Sequence, residues 1–325
     1  MEKSKIDIAV LLLFFARPKQ TAKVFEQIRL ARPSKLFLYQ DGAREGRQDD
    51  VEGIKACRKI VENIDWECEV HRMYQEKNYG CDPSEYISQK WMFSMVDKGI
   101  ILEDDDVPSQ SFFPYCKELL EKYEHDTRIS LISGINYMEE TKDCPYSYFF
   151  SSDVAIWGWA TWKRVIDAWD GQYTFTKDEY HMGLFRKLFK EHKLRSNLIP
   201  LLERHSNSGK EYYESILYGY HYLNNCLSIV PSKNMINNIG LEGGTNYSTN
   251  LTMLPKGVRK IFEMKRFEIQ LPLKHPKYVI ENLFYKDAVD KILARNKRMI
   301  QKYRLWEVRL YKLRAIILKW WYGKR

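Results

Sequence analysis

The stretch Gly99-Ile100-Ile101-Leu102-Glu103-Asp104-Asp105-Asp106-Val107-Pro108 joins a short apolar run directly to four consecutive acids. The apolar run is typical of a buried strand, and Pro108 predicts where that strand ends. Four adjacent carboxylates repel one another unless a cation or several hydrogen-bond donors compensate them. Such oxygen ligands suit Mg²⁺ or Mn²⁺. The alternative is a solvated acidic turn that caps the next helix.

Before this stretch, apolar segments alternate with helix-like segments. The predicted strands cover about residues 6–15, 36–39, 68–73 and 99–102, and a helix follows each of the first three. This alternation predicts an α/β fold with a mostly parallel central sheet flanked by helices. Ligands bind such sheets at the carboxyl ends of the strands. We therefore expect the polar residues after these strands to share one crevice with the acidic stretch; they are Arg17, Asp41, Asn78 and Gly80.

The positive charge of the chain is confined to its end. The formal net charge is +9, and residues 291–325 hold twelve Lys/Arg and one acid, or +11, which leaves −2 for the first 290 residues. A body without excess positive charge argues against nucleic-acid binding over a broad surface. The chain also contains no G-x-G-x-x-G and no G-x-x-x-x-G-K motif, which counts against dinucleotide-binding and P-loop proteins.

Cysteine usage and hydropathy indicate a cytoplasmic location. The six cysteines form no C-x-x-C pair and are widely scattered, which predicts reduced thiols and no cysteine metal cluster. The apolar run at residues 8–16 is followed directly by Arg17-Pro18, without a small-residue cleavage site. It is too short to span a bilayer, so we interpret it as the first buried strand.

Several short motifs, taken in order, resemble a known enzyme group. They are Arg17-Pro18, Gln40-Asp41-Gly42, Glu76-Lys77-Asn78-Tyr79-Gly80-Cys81, the acidic stretch, Trp157-Gly158-Trp159-Ala160-Thr161-Trp162, Leu227-Ser228-Ile229-Val230-Pro231 and Asn238-Ile239-Gly240. This series resembles a bacterial nucleotide-sugar glycosyltransferase of GT-A fold, similar to the N-acetylglucosaminyltransferase I family. The resemblance covers about residues 6–246.

The resemblance implies a donor site at the strand ends. Asp41 would accept a hydrogen bond from a uracil ring, Arg17 would lie near the nucleotide, and Asn78 and Gly80 would line the same crevice. Asp153 would contact the donor sugar. Indole faces can stack on sugars, and we assign this role to Trp159, although core packing explains closely spaced tryptophans equally well.

The resemblance also implies a divalent metal ion, Mn²⁺ or Mg²⁺, at the acidic stretch. Asp105 would be its ligand, and Glu103 would face the ribose or sugar and assist as a ligand. The fourth acid, Asp106, is a departure from the usual pattern, because Asp104 and Asp106 form a competing D-x-D pair. Strand alternation predicts Glu103 and Asp105 on one face and the competing pair on the other.

A carboxylate is the usual base for deprotonating an acceptor hydroxyl. In related sequences an acid precedes a Leu-Ser-Ile-Val-Pro stretch by about a dozen residues, and this position corresponds to Glu214. The alternative is that Glu211 and Glu214 are ordinary surface acids on a helix. Asp170 is the second candidate for the base.

Two segments late in the chain are candidates for other roles: a loop that closes over the donor, and a helix that binds a membrane or packs on protein. The glycine-rich loop 241–246 could close over the donor. From Met299 to Trp320, apolar residues recur at steps of three and four, which predicts an amphipathic helix with a basic opposite face. Such a helix would lie on an anionic membrane surface or pack on the domain or a partner subunit.

These observations predict a metal-dependent, inverting glycosyltransferase that uses a UDP-sugar. Its acceptor would be a glycan or lipid-linked glycan in bacterial surface polysaccharide or lipopolysaccharide assembly, at the inner face of the cell membrane. We predict a glycosyltransferase domain at 1–255, with a nucleotide-binding half at 1–107 and an acceptor half at 108–255, and a basic helical extension at 256–325. The alternatives are a sugar-1-phosphate nucleotidyltransferase and a binding protein that has lost catalysis.

Overall fold

A computed structural model describes residues 2–190, 198–241 and 260–292. Most of the predicted glycine-rich loop, from residue 242, and the predicted C-terminal amphipathic helix lie outside these ranges. Within them, no helix is both long enough and apolar enough to cross a membrane.

An eight-stranded sheet forms the centre of the molecule. Its strands are β1 (Ile6–Phe14), β2 (Pro33–Gln40), β3 (Glu69–Tyr74), β4 (Lys98–Glu103), β6 (Ile129–Ser133), β7 (Tyr148–Ser151), β8 (Trp159–Trp162) and β9 (Leu227–Pro231). They lie in the order β3-β2-β1-β4-β8-β6-β9-β7. Six strands run in one direction, and β7 and β8 run in the opposite direction. The predicted α/β fold with a mostly parallel central sheet is confirmed.

Helices flank this sheet and connect its strands. They are α1 (Pro18–Ala31), α2 (Gln48–Val61), α3 (Cys81–Met95), α4 (Phe112–Lys122), α5 (Lys163–Asp167), α6 (Glu179–Lys190), α7 (Leu198–Ser206) and α8 (Tyr213–Leu223), with a short 3-10 helix at Thr174–Lys177. Residues 10–12 of β1 and 36–38 of β2 are completely buried. A strand covered on both faces reads as a continuous apolar run, which is why these strands were predictable from hydropathy.

A second, two-stranded sheet begins inside the acidic stretch. The chain turns at residues 104–105, and β5 (Asp106–Pro108) then pairs in antiparallel fashion with β10 (Ile236–Asn238). The sequence predicted that Pro108 ends the strand that begins at Gly99. Instead, the strand ends at Glu103, and Pro108 lies at the end of a separate short strand.

Residues 260–292 pack back onto this body. Met264, Ile269 and Leu273 are buried in the main hydrophobic core. The Phe267 N–H donates to the Asn234 carbonyl (2.8 Å), and the Asn282 N–H donates to the Phe150 carbonyl (2.8 Å). The described part of this segment is thus integrated with the sheet. The predicted domain boundary near residue 255 stays a prediction.

Candidate functional site

The carboxyl ends of β1, β2 and β4 meet at one edge of the sheet. Leu13 in β1 is level with Glu103 in β4, and Phe14 is level with Gln40 in β2. The residues that follow these three ends are therefore neighbours in space, although up to 90 positions separate them in the chain. This register brings Arg17, Asp41 and the acidic stretch together, as the strand order predicts.

Arg17 compensates two of the four acids. Its guanidinium contacts Asp104, and its Nη2 lies 2.9 Å from Asp105 Oδ2. The Phe15 N–H adds a long bond to Asp104 Oδ2 (3.4 Å). Burial raises the pKa of Asp104, and the nearby positive charge of Arg17 opposes that shift. Arg17 thus supplies part of the positive charge that the four adjacent carboxylates require.

The predicted pairing of faces is wrong. Alternation placed Glu103 with Asp105 and Asp104 with Asp106, but it holds only while the strand continues. Because β4 ends at Glu103 and the next two residues form a turn, Asp104 and Asp105 both reach Arg17.

Asp106 lies on the interior side of this turn. Its carboxylate is completely buried and accepts hydrogen bonds from the Gly158 N–H (2.8 Å) and from Asn238 Nδ2 (3.0 Å). Burial raises the pKa of Asp106 well above its usual range. Its two oxygens thus tie the turn to Gly158 and to Asn238 in β10, and this placement argues against Asp106 as a metal ligand in the competing D-x-D pair.

Asp105 faces the turn that follows β10. Its Oδ1 accepts a 3.3 Å bond from Asn238 Nδ2, and its backbone carbonyl accepts one from the Ile239 N–H (2.9 Å). A Cβ atom placed on Gly240 would lie only 2.1 Å from Asp105 Oδ2. A glycine at 240 is therefore what leaves room for this carboxylate.

The Asp41 carboxylate organises the loop before α3. Oδ1 accepts from the backbone N–H of Gly42 (3.0 Å) and of Tyr79 (2.9 Å), and Oδ2 accepts from Asn78 Nδ2 (2.9 Å) and the Gly80 N–H (2.9 Å). A carboxylate offers about four acceptor positions, so these bonds fill it. Asp41 and Asn78 therefore shape the crevice, and a bond from Asp41 to a uracil ring would have to displace one of the internal donors.

Glu103 faces a second group of acids on the other side of the turn. Burial raises its pKa well above the usual range, and the strongest charged neighbour is Glu85 on α3. Glu85 is buried, accepts a bond from Gln89 Nε2 (2.9 Å), and has its pKa raised by burial to about 8. The sequence analysis missed Glu85. It follows Asp82 by three residues, and because α3 begins at Cys81 the two acids share a helix face.

Glu214, the predicted base, belongs to this second group. Its side chain keeps access to solvent, yet the surrounding protein desolvates the carboxyl group and, with the negative charge of Asp82, raises its pKa to about 7. Burial raises the pKa of Tyr213, next to Glu214 in the first turn of α8, well above its usual range, and the negative charges of Glu103, Glu85 and Glu214 add to this shift.

Three other predicted site residues have structural roles in this state. Trp159 is buried inside β8, with 1% of its surface exposed. Asp170 caps its own loop, accepting from the Gln172 N–H (3.1 Å) and from Thr174 Oγ1 (2.7 Å). Asp153 is buried and accepts from Ser151 Oγ (3.1 Å). Because β7 runs antiparallel and Ser151 pairs with Ser228 near the start of β9, Asp153 follows from the opposite end of the sheet.

The carboxylates at the turn after β4 could supply only some of the ligands of a divalent ion. Asp104 and Asp105 supply carboxylate oxygens at one point, and no group of three or more His, Cys, Asp or Glu side chains in residues 2–190, 198–241 and 260–292 converges to enclose a metal. Mg²⁺ is commonly held by one or two carboxylates together with substrate phosphates and water. The two aspartates suit such an ion, with the remaining ligands coming from a bound nucleotide.

Comparison with known proteins does not assign this chain to a family. No protein-family model matches this sequence, and no curated protein is similar to it. Among solved structures, the chain is similar to apo UDP-glucose pyrophosphorylase, with 10% identity over 71% of this chain and 93% of that chain and a TM-score of 0.34. It is also similar to UDP-glucose pyrophosphorylase complexed with UDP-glucose, with 8% identity, the same coverage and a TM-score of 0.36. At these values the likeness carries no argument about function, and the resemblance to the N-acetylglucosaminyltransferase I family stays a prediction.

Proposed function

We propose that this chain is a glycosyltransferase that moves a sugar from a nucleotide-sugar, with UDP as the favoured nucleotide, to a hydroxyl group of a glycan. The observation that carries the proposal is the presence of two unlike groups, one after the carboxyl ends of β1 and β4 and one in the first turn of α8. Arg17 with Asp104 and Asp105 forms a charged group of the kind that binds a diphosphate and its metal, and Glu214 is an accessible carboxyl group with its pKa near 7.

On the donor side, the chain has to hold a diphosphate whose negative charge grows as the sugar leaves. Asp104 and Asp105 would hold Mg²⁺ or Mn²⁺, which neutralises charge on phosphate oxygens when bound. The Arg17 guanidinium is positioned beside them, and its planar group of N–H donors matches phosphate oxygens. The loop 78–80, whose Tyr79 and Gly80 N–H groups donate to Asp41, would form the adjoining wall of the crevice.

On the acceptor side, a hydroxyl group has to lose a proton as it attacks. A base works best when its pKa lies near the working pH, and the raised pKa of Glu214 meets this condition. Glu214 would accept the proton, and the attacking oxygen would displace the nucleotide from the opposite side of the sugar ring. A single displacement of this kind inverts the configuration at the reacting carbon.

The decisive experiment is UDP binding by calorimetry, with and without Mn²⁺, followed by turnover assays. We expect binding that strengthens with Mn²⁺ and, on screening UDP-sugars with glycan acceptors, release of UDP together with a glycosylated product. Release of UTP from a UDP-sugar and pyrophosphate would identify a nucleotidyltransferase instead. Binding of UDP with neither reaction would leave a binding protein, and failure to bind UDP, GDP or CDP would overturn the proposal.

A further inference from the structure

One side-chain amide touches both of the last two acids of the acidic stretch. Asn238, the final residue of β10, is buried. Its Nδ2 donates to Asp105 Oδ1 (3.3 Å) and to Asp106 Oδ1 (3.0 Å). An amide nitrogen carries two protons, and these two bonds use both. Asn238 is therefore the point at which a distant strand contacts the candidate metal ligand and the buried acid beside it.

The orientation of the Asn238 amide is fixed by the turn that follows it. The Gly240 N–H donates to Asn238 Oδ1 (2.9 Å), and only the amide oxygen can accept there, so the nitrogen has to face the acids. The backbone is held as well, because Asn238 pairs with Asp106 in the two-stranded sheet. The Ile239 N–H also donates to the Asp105 carbonyl (2.9 Å).

The two oxygens of the Asp105 carboxylate have different surroundings. Oδ1 accepts from Asn238, whereas Oδ2 lies 2.9 Å from Arg17 Nη2, on the guanidinium that also contacts Asp104. An ion shared with Asp104 would therefore meet Oδ2. If Asp105 were to bind an ion through both oxygens, Oδ1 would have to turn away from the fixed amide of Asn238. The contacts favour a carboxylate that offers one oxygen.

The number of oxygens that a carboxylate offers affects which divalent ion it suits. Ca²⁺ takes about six to eight oxygen ligands and is often bound by both oxygens of a carboxylate. Mg²⁺ requires near-octahedral geometry with about six ligands and keeps several waters, and Mn²⁺ also favours an octahedral set of oxygens. A site with one oxygen from each aspartate suits the octahedral ions and leaves Ca²⁺ with few protein ligands.

We propose that Asn238 is a positioning residue that makes Asp105 a one-oxygen ligand, and that it thereby sets the preference of the site for Mg²⁺ and Mn²⁺ over Ca²⁺. The inference rests on the proposed function, in which Asp104 and Asp105 hold the ion together with a bound nucleotide. Asn238 acts through Asp105 and not by contact with the ion.

Metal titrations of the full chain in the presence of UDP test the inference. Electron paramagnetic resonance follows the free Mn²⁺ ion, and added Ca²⁺ is measured by the Mn²⁺ that it displaces. The parent should prefer Mn²⁺. Asn238→Ala should bind Mn²⁺ at least about tenfold less tightly, because loss of a partner that orients a metal ligand typically costs about 10–100-fold in affinity. Ca²⁺ affinity should fall much less, because Oδ1 becomes free to bind it.

The matched control is the preceding residue on the same strand. The Asn237 side chain donates to the Met264 carbonyl and not to the acids, so Asn237→Ala removes an amide of the same size and should keep the metal preference of the parent. Circular dichroism compares the folding of both variants. If Asn238→Ala does not fold, Asn238→Ser replaces it. A hydroxyl has one proton and cannot serve both acids, so the same change in preference is expected.

Three outcomes would overturn the inference while UDP and Mn²⁺ still bind to the parent. They are unchanged affinities in the Asn238 variant, a fall of Mn²⁺ and Ca²⁺ affinity by the same factor, and an equal loss of preference in Asn237→Ala. The second of these would show that Asn238 only stabilises the turn. A parent that binds no UDP and no Mn²⁺ would overturn the proposed function and this inference together.

Discussion

The Nη2 atom of Arg17 lies 2.9 Å from Oδ2 of Asp105, and the same guanidinium contacts Asp104. One arginine from the start of α1 thus balances two acids from the turn after β4. Arg17 contacts the same two carboxylates that a divalent ion would need. Binding of such an ion would therefore change the contacts that Arg17 makes with Asp104 and Asp105.

Replacing Arg17 should destabilise the free protein and make it more responsive to metal. Loss of one partner of a buried ion pair costs about 3–5 kcal/mol, and we expect about 2 kcal/mol for Arg17→Ala because the Arg17 side chain is 24% exposed. Chemical unfolding measures this change. Added Mn²⁺ should restore more stability to the variant than to the parent, because it supplies the missing positive charge. An equal response of both proteins to Mn²⁺ would show that the ion binds elsewhere.

Asp105 and Asp106 are neighbours in sequence and should behave differently when each is changed to asparagine. Asp105→Asn should lose the Mn²⁺-dependent part of UDP binding with little change in Tm. Asp106→Asn should lower the free energy of unfolding by about 1–3 kcal/mol, because one buried acceptor becomes a donor facing the Gly158 N–H or Asn238. Calorimetry and thermal unfolding of the two variants, side by side, distinguish the roles. If Asp106→Asn instead lost the Mn²⁺-dependent binding while Asp105→Asn lost stability, Asp106 would be the metal ligand.

Gly240→Ala should impair donor binding through Asp105. The added Cβ would lie 2.1 Å from the Asp105 carboxylate oxygen, so the side chain or the turn has to move, at a cost of about 1–3 kcal/mol. We expect weaker UDP binding by calorimetry with the fold retained by circular dichroism. Gly183→Ala is the control, because nothing lies within 4 Å of its Cβ position and alanine in a helix interior is favourable by about 1 kcal/mol. Unchanged UDP binding in Gly240→Ala would separate Asp105 from the donor site.

The pH dependence of turnover should report Glu214. A base has to be deprotonated, and burial raises the pKa of Glu214 to about 7. The rate should therefore rise as the pH increases through about 7 and then level off, and Glu214→Gln should lose turnover while it keeps UDP binding. Asp170→Asn is the comparison, since Asp170 caps its own loop. A rising limb near pH 7 that survives in Glu214→Gln would belong to another group.

The parts of the fold that depend on local pattern were predictable from the sequence. The strands at residues 6–14 and 98–103 are apolar runs that the sheet buries on both faces, and the rule that ligands meet the carboxyl ends of strands placed Arg17 beside the acidic stretch. Trp159 shows the limit of this approach, because a ring that could stack on a sugar fills the core when its strand lies between β4 and β6.

The turn at Asp104 and Asp105 was not predictable from its own sequence. It forms because β5 pairs with β10, whose residues lie about 130 positions later. Asp41 posed the same problem, because nothing in its own sequence distinguishes it from an acid that is free to bind a ligand. Only the loop at residues 78–80 determines that its acceptor positions are filled by internal donors. Contacts between distant segments decide which acids stay available.

The two donors to the Asp106 carboxylate come from Gly158 and Asn238, 52 and 132 positions further along the chain. On the ribosome, the acidic stretch therefore emerges well before either partner has been made. Until the chain has grown past residue 238, the Asp106 carboxylate lacks at least one of these two donors, even if the first strands have already paired and Arg17 has reached Asp104 and Asp105. The geometry of the turn is completed late in synthesis, and a polypeptide that stops before β10 would hold the predicted nucleotide-binding half without a formed acidic turn.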